Sequence, residues 1–356
     1  MIWTFTPAAQ PAAFSAFAED WQRLHAASAA SPMLDWDFVA PLLDEFGGGG
    51  EMLAKCEGAG RTVALAIVAP DGRGVWATFQ PPQAPLGLWM QRPDENPKML
   101  LHGLLRALPG MPLVFGLTKM DPLLMPRPSD TGCVRTLDYI DTAHVEMTGS
   151  FDDYWTTRGK NLRNNLKKQR NRLEREGVAL RLEVSRAPED VAQAVADYGR
   201  LESSGWKAAR GTAVHAGNAQ GRYYRTMLEA FCRRGKGSIY RYWIGERLAA
   251  MDLCIEDAGT IIVLKTSYDE SLPSSLSPTH LMREEAMRRL FEDGGIRRIE
   301  FYGRVMGWHL RWTEQVRTMY HINYYRWPGL RRLHALLEAR PTAKPDPSRV
   351  PTENKL

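Results

Sequence analysis

Between residues 238 and 268, apolar and polar residues fall into three runs of strand length. The runs are roughly Ser238–Ile244, Arg247–Glu256 and Thr260–Tyr268, separated by Gly245-Glu246 and by Asp257-Ala258-Gly259. Short connections that contain glycine favour tight turns between antiparallel strands. The pattern therefore predicts a three-stranded antiparallel meander.

A loop rich in serine and proline follows the meander and leads into a predicted helix. Ser277 is a residue type that caps helices, Pro278 suits the first helical turn, and the helix should end at Gly294-Gly295. The next segment, IRRIEFYG, predicts one more strand. Because exposed N–H groups and the positive end of a helix attract anions, this loop is suited to a cofactor that carries a pyrophosphate.

An amphipathic helix with a basic exterior is predicted over residues 158–177. Leu162, Leu166 and Leu173 fall on one face of this helix. Three interpretations compete: a solvated helix face, a wall that attracts an anionic substrate or cofactor, and nucleic-acid binding, for which aromatic interleaving is missing. The other positions are dominated by the basic residues Arg158, Lys160, Arg163, Lys167, Lys168, Arg170, Arg172 and Arg175, against Glu174 and Glu176.

The two halves of the chain repeat one order of predicted elements, although their sequences are not alike. Each half contains a strand, helices, three strands, a loop, a helix and two final strands, and the junction lies near Gly149. This order predicts an α/β (α+β) fold of two tandem domains, 1–149 and 150–340, each with a mixed central sheet flanked by helices. The polar, proline-rich segment 341–356 is predicted to be disordered.

The loops of the two halves differ in chemistry. The first-half loop contains Pro81, Pro82 and Pro85 with few polar groups, so we expect the active site in the second half with the first half as a wall. The GGGGE segment at Gly47–Glu51 lacks the following Lys-Ser/Thr of a phosphate-binding loop and is interpreted as a flexible loop. HExxH and GxSxG motifs are also missing, and the histidines are too scattered to predict a metal site.

Composition indicates the class of the protein and its expected cellular location. The chain has 356 residues, 44% of them hydrophobic and 24% charged, which is typical of a globular protein. Neither a membrane-length apolar run nor a secretory leader is visible, and the scattered Cys56, Cys133, Cys232 and Cys254 favour free thiols in a reducing compartment. We therefore predict a cytoplasmic protein without a membrane span, and a net charge of +5 that indicates an anionic partner.

Taken together, these motifs resemble the GNAT superfamily of acetyltransferases. The resemblance rests on NLRNNLKKQRNRLEREG, ESSGWKAARGTAV, the meander ending in SYDES, SLSPTHLM, and IEFYGR followed by WHLRWTE. It covers roughly residues 151–327. Specifically, the chain resembles the branch of bacterial polysaccharide-biosynthesis (cellulose-associated) proteins related to the FemAB peptidyltransferases. The first half is similar to the degenerate companion domain of tandem GNAT and FemAB-like folds.

The resemblance implies transfer of an acyl group from acetyl-CoA or another acyl-CoA to a primary amine, directly and within a ternary complex. The amine would belong to a small molecule or a glycan, and the resemblance implies a place in polysaccharide or cell-envelope metabolism. FemAB relatives use aminoacyl-tRNA instead, which is the alternative donor, since the usual Gln/Arg-x-x-Gly-x-Gly/Ala loop is replaced here by serine and proline. By analogy, the residues that would contact the cofactor are Lys265, Ser267, Ser274, Ser275, Ser277, Thr279 and His280.

Acylation of an amine requires a base for the ammonium proton and an acid for the leaving thiolate. Glu300 at a predicted strand end is the first candidate base and His309, where relatives more often have lysine, is the second. Tyr268 or Tyr302 would return the proton to sulfur, and backbone N–H groups of the strand at 260–268 would stabilise the oxyanion. The competing interpretation is structural: an ion pair of Glu300 with a nearby arginine, and tyrosines that only pack.

The segment GWKAARGT is interpreted as a loop over the acceptor, with packing between the domains as the alternative. A non-catalytic scaffold or nucleic-acid binder is the hypothesis from another functional class. The residues predicted to bind the substrate are Glu202, Trp206, Lys207, Arg210, Asp252 and Trp308.

Overall fold

The computed structural model describes residues 1–28, 31–203, 214–215 and 217–338. The described residues of the first half form seven strands and three α-helices. In chain order these are β1 Ile2–Pro7, α1 Pro11–Ala27, α2 Trp36–Phe46, β2 Met52–Gly58, β3 Arg61–Pro70, β4 Val75–Thr78, β5 Trp89–Gln91, α3 Pro97–Ala107, β6 Val114–Met120 and β7 Val134–Glu146.

The described residues of the second half form six strands and six α-helices. They are α4 Phe151–Thr157, α5 Lys160–Arg175, β8 Leu180–Ser185, α6 Val191–Ser203, α7 Ala219–Arg233, β9 Gly237–Ile244, β10 Arg247–Asp257, β11 Thr260–Tyr268, α8 Pro278–Asp293, β12 Arg298–Glu300, β13 Val316–Tyr325 and α9 Pro328–Glu338.

All of these strands belong to one 13-stranded sheet that runs through both halves. Its order is β1-β2-β3-β4-β6-β13-β7-β12-β11-β10-β9-β8, with β5 attached to β3. From one edge the strands are β1, β2, β3, β4, β6 and β13, and from the other edge they are β8, β9, β10, β11, β12 and β7. The two series correspond strand by strand, and β4–β6 and β11–β12 are the corresponding parallel pairs. The predicted fold of two tandem α/β units with mixed sheets is therefore confirmed.

The final strands of the two units are exchanged. Strand β13 of the second half pairs antiparallel with β6 and β7, and β7 of the first half pairs antiparallel with β12. Each half thus completes its sheet with a strand from the other half. The exchange brings first-half residues next to the end of β12, where the candidate base Glu300 lies.

Helices cover both faces of the sheet. On one face, α1, α2, α6 and α7 share a core that includes Trp21, Phe38 and Tyr223. On the other face, α3 covers the first half, and α4, α5 and α8 cover the second. The predicted apolar stripe of α5 is buried in this second layer, where Leu162, Leu166 and Leu173 pack. No described helix has the length and apolar character needed to cross a membrane.

The structure departs from the predicted elements at two places near the site. Strand β12 is only three residues long, since the chain leaves the sheet after Glu300 and Tyr302 takes a positive φ of 39°. Ser277 precedes α8 and Pro278 opens it, but the Ser277 side chain does not cap the helix. Instead, the Gln169 side chain of α5 bonds the Ser277 backbone N–H (2.8 Å) and lies 3.5 Å from its hydroxyl.

Some predictions fall on residues outside the described ranges. These are the loop with Trp206, Lys207 and Arg210 and the segment 341–356. Helix α9 follows the last predicted strand and was not predicted from the sequence. Cys56, Cys232 and Cys254 are buried free thiols, and Cys133 is a partly exposed one.

Candidate active site at the divergence of two parallel strands

Strands β11 and β12 pair over only three residues and then separate. Their parallel register joins Thr260–Ile262 to Arg298–Glu300. Beyond this point β11 continues to Tyr268 with a bulge at Leu264, where its register against β10 shifts by one residue. A cleft beside the paired segment is lined by Thr260, Ile262, Arg298, Glu300 and Tyr302. Bulges of this kind often lie beside active sites because they redirect side chains and backbone groups.

Glu300 lines this cleft and belongs to a buried cluster of charges. The residue is 2% exposed, and its carboxylate accepts a hydrogen bond from Arg317 Nη2 at 2.9 Å. The same guanidinium binds both oxygens of the buried Asp121, at 2.6 and 2.9 Å, and lies 3.1 Å from His144 Nδ1. Burial raises the pKa of Glu300 to about 7, although Arg317 acts in the opposite direction. A carboxyl with this pKa is suited to proton transfer near neutral pH.

Tyr302 belongs to the same cluster. Its phenol donates a hydrogen bond to Asp121 Oδ2 at 2.7 Å, and burial raises its pKa well above the ordinary value. The Arg317 guanidinium lies over its ring, 5.2 Å from the centroid. The structure thus brings together two predicted catalytic residues, Glu300 and Tyr302. The hydroxyl proton of Tyr302 is already donated to Asp121.

His309 and Trp308 lie on the other side of Phe301. His309 is buried, its ring stacks on Trp308 with 3.5 Å between centroids, and its Nδ1 accepts the Met306 backbone N–H at 2.9 Å. Burial and the nearby Arg283 lower the pKa of His309 to about 4. The imidazole is therefore neutral at physiological pH with its Nδ1 lone pair occupied, which favours a donor role over that of a base.

A buried arginine connects several of the remaining predicted residues. Arg283 of α8 donates to Asp252 Oδ2 at 3.1 Å, and the Thr266 hydroxyl donates to Asp252 Oδ1 at 2.5 Å. The same guanidinium lies 4.6 Å from the Trp308 ring and 5.2 Å from the Phe301 ring. Asp252 is therefore held in an ion pair that joins α8 to β10, and each of its two oxygens has a partner.

The serine-rich loop faces the basic helix across an open groove of about 1010 Å3. Arg172 Nη1 of α5 donates to the Ser275 hydroxyl at 3.0 Å. Arg170, in contrast, turns inward and binds Glu284 of α8 at 3.2 Å, so it ties the two helices together. The groove is lined by Asn165, Lys168, Gln169, Asn171, Arg172, Glu174, Arg175, Ser274, Ser275 and Ser277.

The other predicted residues are dispersed over the second half and do not line the cleft at Glu300. Tyr268 ends β11 and is 44% exposed, whereas Ser267 is buried. Lys265 lies over the Tyr224 ring at 5.5 Å, and Glu202 accepts the Val214 backbone N–H at 2.7 Å. The half-buried His280 accepts the Trp312 indole N–H at Nδ1 (3.0 Å), and burial lowers its pKa to about 4. Thr279, beside it in the first turn of α8, is also half-buried.

Sequence reasoning missed the residues that organise the charge cluster. Asp121 and Arg317 are 196 positions apart in the chain, and neither lies in a local motif. Arg283 lies on a predicted helix, but nothing in its neighbourhood indicates that it is buried against two aromatic rings. Only the strand exchange explains why a first-half carboxylate reaches this site.

Comparison with known proteins identifies the family of the chain. The model of the acetyltransferase (GNAT) domain family matches residues 160–338, which is half of the chain. The chain belongs to this family, and it is accordingly an acyltransferase. The hypothesis of a non-catalytic scaffold is therefore not retained. No curated protein sequence is significantly similar to the chain.

Several solved structures share the fold over nearly the whole chain. The C-terminal DUF2156 domain of a candidate lysylphosphatidylglycerol synthetase from Agrobacterium fabrum is 15% identical, with a TM-score of 0.55 over 91% of this chain and 95% of that one. A conserved protein of unknown function from Bacteroides thetaiotaomicron is 11% identical, with a TM-score of 0.56 over 86% and 97%. FemX is 9% identical, with a TM-score of 0.54 over 90% and 98%. These likenesses support the predicted relationship to FemAB-like proteins at the level of the fold.

Proposed function

We propose that this protein transfers an acyl group from acyl-CoA to a primary amine, with Glu300 as the general base. The observation that carries the donor assignment is the basic groove between α5 and the loop before α8. Lys168 and Arg175 are exposed there, and Arg172 reaches the loop through Ser275. CoA carries several phosphate charges, and a groove with three cations beside a helix N-terminus would attract them.

The cleft at Glu300 supports the chemical step. The ionised carboxylate would accept a proton from the acceptor ammonium, and the neutral amine would then attack the thioester carbonyl carbon as the carbon–sulfur bond breaks. The departing thiolate requires a proton. The Tyr302 phenol already donates to Asp121. Tyr268, for which the described residues offer no hydrogen-bond acceptor, is therefore the better candidate acid.

Direct transfer within a ternary complex is favoured over a covalent acyl-enzyme. A covalent route needs an accessible nucleophile such as a low-pKa cysteine. Cys254 is buried and burial raises its pKa well above the ordinary value, and burial raises the pKa of Cys232 to about 11. Among the described residues, no cysteine lines the basic groove or the cleft at Glu300.

Calorimetric titration with acetyl-CoA and with octanoyl-CoA tests the donor assignment. Ser277→Glu would place a negative charge in the groove, and Ser277→Gln is the matched control of equal size without the charge. We expect wild type and Ser277→Gln to bind, and Ser277→Glu to bind about tenfold more weakly or not at all, which is the effect of one lost or opposed charged contact. Equal binding by both variants would contradict the placement of the phosphates.

Failure of both thioesters to bind would contradict acyl-CoA as the donor and favour aminoacyl-tRNA. That alternative rests on the exposed lysines Lys160, Lys167 and Lys168 along α5. Binding of a polyanion by this face would fall steeply with salt, and replacing the three lysines by glutamine would reduce the salt dependence. Binding of a CoA thioester engages fewer phosphates and would show a shallower dependence.

A further inference from the structure

The first half contains its own cleft, at the position that corresponds to the cleft of the second half. Strands β4 and β6 pair in parallel over Val75–Ala77 and Val114–Gly116 and then separate, as β11 and β12 do. A cavity of about 550 Å3 lies beyond this point, which is the size of a small-molecule site. Its lining is mainly apolar and includes Leu86, Trp89, Met90, Leu123, Leu124 and Met125.

One lysine, Lys119, contributes to the wall of this apolar cavity. Strand β6 has a bulge where Thr118 and Lys119 together face the single residue His321 of β13. Lys119 has a φ of 48°, and its backbone N–H donates to His321 Nδ1 at 3.0 Å. A Cβ on Gly87 would lie 2.1 Å from the Thr118 carbonyl oxygen, so only glycine permits this close crossing of the two chains. The bulge and the close contact between Gly87 and Thr118 stabilise a strained backbone conformation, and this conformation places Lys119 in the cavity wall.

Lys119 has no counter-charge in the described part of the chain. Its half-buried ammonium donates to the Ala84 carbonyl oxygen at 3.0 Å and lies 5.9 Å from the Tyr139 ring centroid, and burial lowers its pKa. Of the carboxylates that line the cavity, Asp121 is bound by Arg317, and Glu95 lies 3.9 Å from Arg61. Burying an ammonium without an anion costs free energy, and an acidic ligand would offset that cost.

The first-half cavity lies beside the cleft that contains the candidate base. Glu300 and Tyr302 line a second cavity of about 380 Å3. The two cavities share four residues of their walls, which are Ser28, Asp121, Leu123 and Leu124. The first-half cavity and the cavity at Glu300 are therefore neighbours with wall residues in common.

We infer that the first-half cavity binds the acceptor, a small amine with an apolar body and an acidic group that pairs with Lys119. This inference names the acceptor class for the proposed acyl transfer and in that respect rests on it. The first half is then more than a wall: it supplies the pocket that selects the acceptor. An aromatic or branched α-amino acid has the required amine, apolar body and carboxylate.

Binding without any CoA thioester tests the cavity on its own. The probes are 3-phenylpropionate and the isosteric neutral 3-phenylpropionamide, titrated by NMR or calorimetry. Wild type should bind the carboxylate about tenfold more tightly than the amide, as expected for one charge-assisted contact. Lys119→Met keeps an unbranched stem and should remove the preference, whereas Lys119→Arg should keep part of it. Lys55→Met, at a half-buried lysine of β2 that lines neither cavity, is the matched control and should keep the wild-type preference.

The inference fails if wild type binds neither probe, if it binds both equally, or if Lys119→Met keeps the preference. A second measurement addresses the acceptor role, with release of CoA from acetyl-CoA followed in the presence of phenylalanine or phenylalaninol. Wild type should favour phenylalanine, and Lys119→Met should lose that selectivity through a higher KM. If acetyl-CoA proves not to be the donor, only this second measurement is lost, and the binding result still decides whether the cavity takes an acidic apolar ligand.

Discussion

Arg317 reaches across strand β7 to bind Glu300, with its Nη2 2.9 Å from Glu300 Oε2. Arg317 lies on β13, which pairs with the first-half strands, and Glu300 ends β12 in the second half. The same guanidinium binds Asp121 of the first half. The position and ionisation of the candidate base are therefore controlled by residues that the strand exchange brings together.

Glu300→Gln should reduce kcat by about 10²- to 10⁴-fold, which is the usual contribution of a general base. Glutamine has almost the same shape and still accepts a hydrogen bond from Arg317, but it cannot take the acceptor proton. The affinity for acyl-CoA, measured by calorimetry, should stay unchanged because the basic groove is separate. Glu314→Gln, at an exposed partner of Arg158, is a control of the same chemistry away from the cleft. A Glu300→Gln enzyme with normal kcat would rule out Glu300 as the base.

The rate should rise with pH through about 7 and then level off. Burial raises the pKa of Glu300 to about 7, and only the ionised carboxylate can accept a proton, so the protonated enzyme below this pH is inactive. The kcat/KM profile checks this, and Glu300→Gln should lack that acid limb. The apparent pKa of this acid limb should be the same for acceptors whose amines differ in pKa. An apparent pKa that changes with the acceptor would show that the amine itself is titrating.

Arg317→Met should destabilise the fold by about 3–5 kcal/mol, since it leaves two buried carboxylates without their partner. Arg317 also lowers the pKa of Glu300 against the effect of burial, so its loss should move the acid limb of the rate profile to higher pH. Chemical denaturation and the kcat/KM profile measure the two effects. Arg317→Lys keeps the charge and should show smaller changes of the same sign. An Arg317→Met enzyme that keeps its stability, and whose rate profile does not shift in pH, would contradict this coupling.

Local patterns predicted the meander and α8 because turns, caps and proline act on neighbouring residues. Strand β11 spans Thr260–Tyr268 as predicted, and Pro278 opens α8. Long-range pairing could not be predicted in this way, since nothing near Arg317 indicates Asp121 as its partner. The inward turn of Arg170 is a similar case, because its neighbours resemble an exposed basic helix while Glu284 lies 114 positions away. Nor does a sequence pattern show that β7 and β13 are exchanged.

The exchange of final strands predicts that residues 1–149 do not fold independently. Without β13, both β6 and β7 lose a partner along their length, and unpaired edges in a sheet favour aggregation. Residues 150–356 should behave in the same way because β12 would lose β7. When the two fragments are expressed together, they should form a 1:1 complex with cooperative unfolding, detected by size exclusion and circular dichroism. A fragment 1–149 that unfolds cooperatively as a monomer would show that the exchanged strand is dispensable.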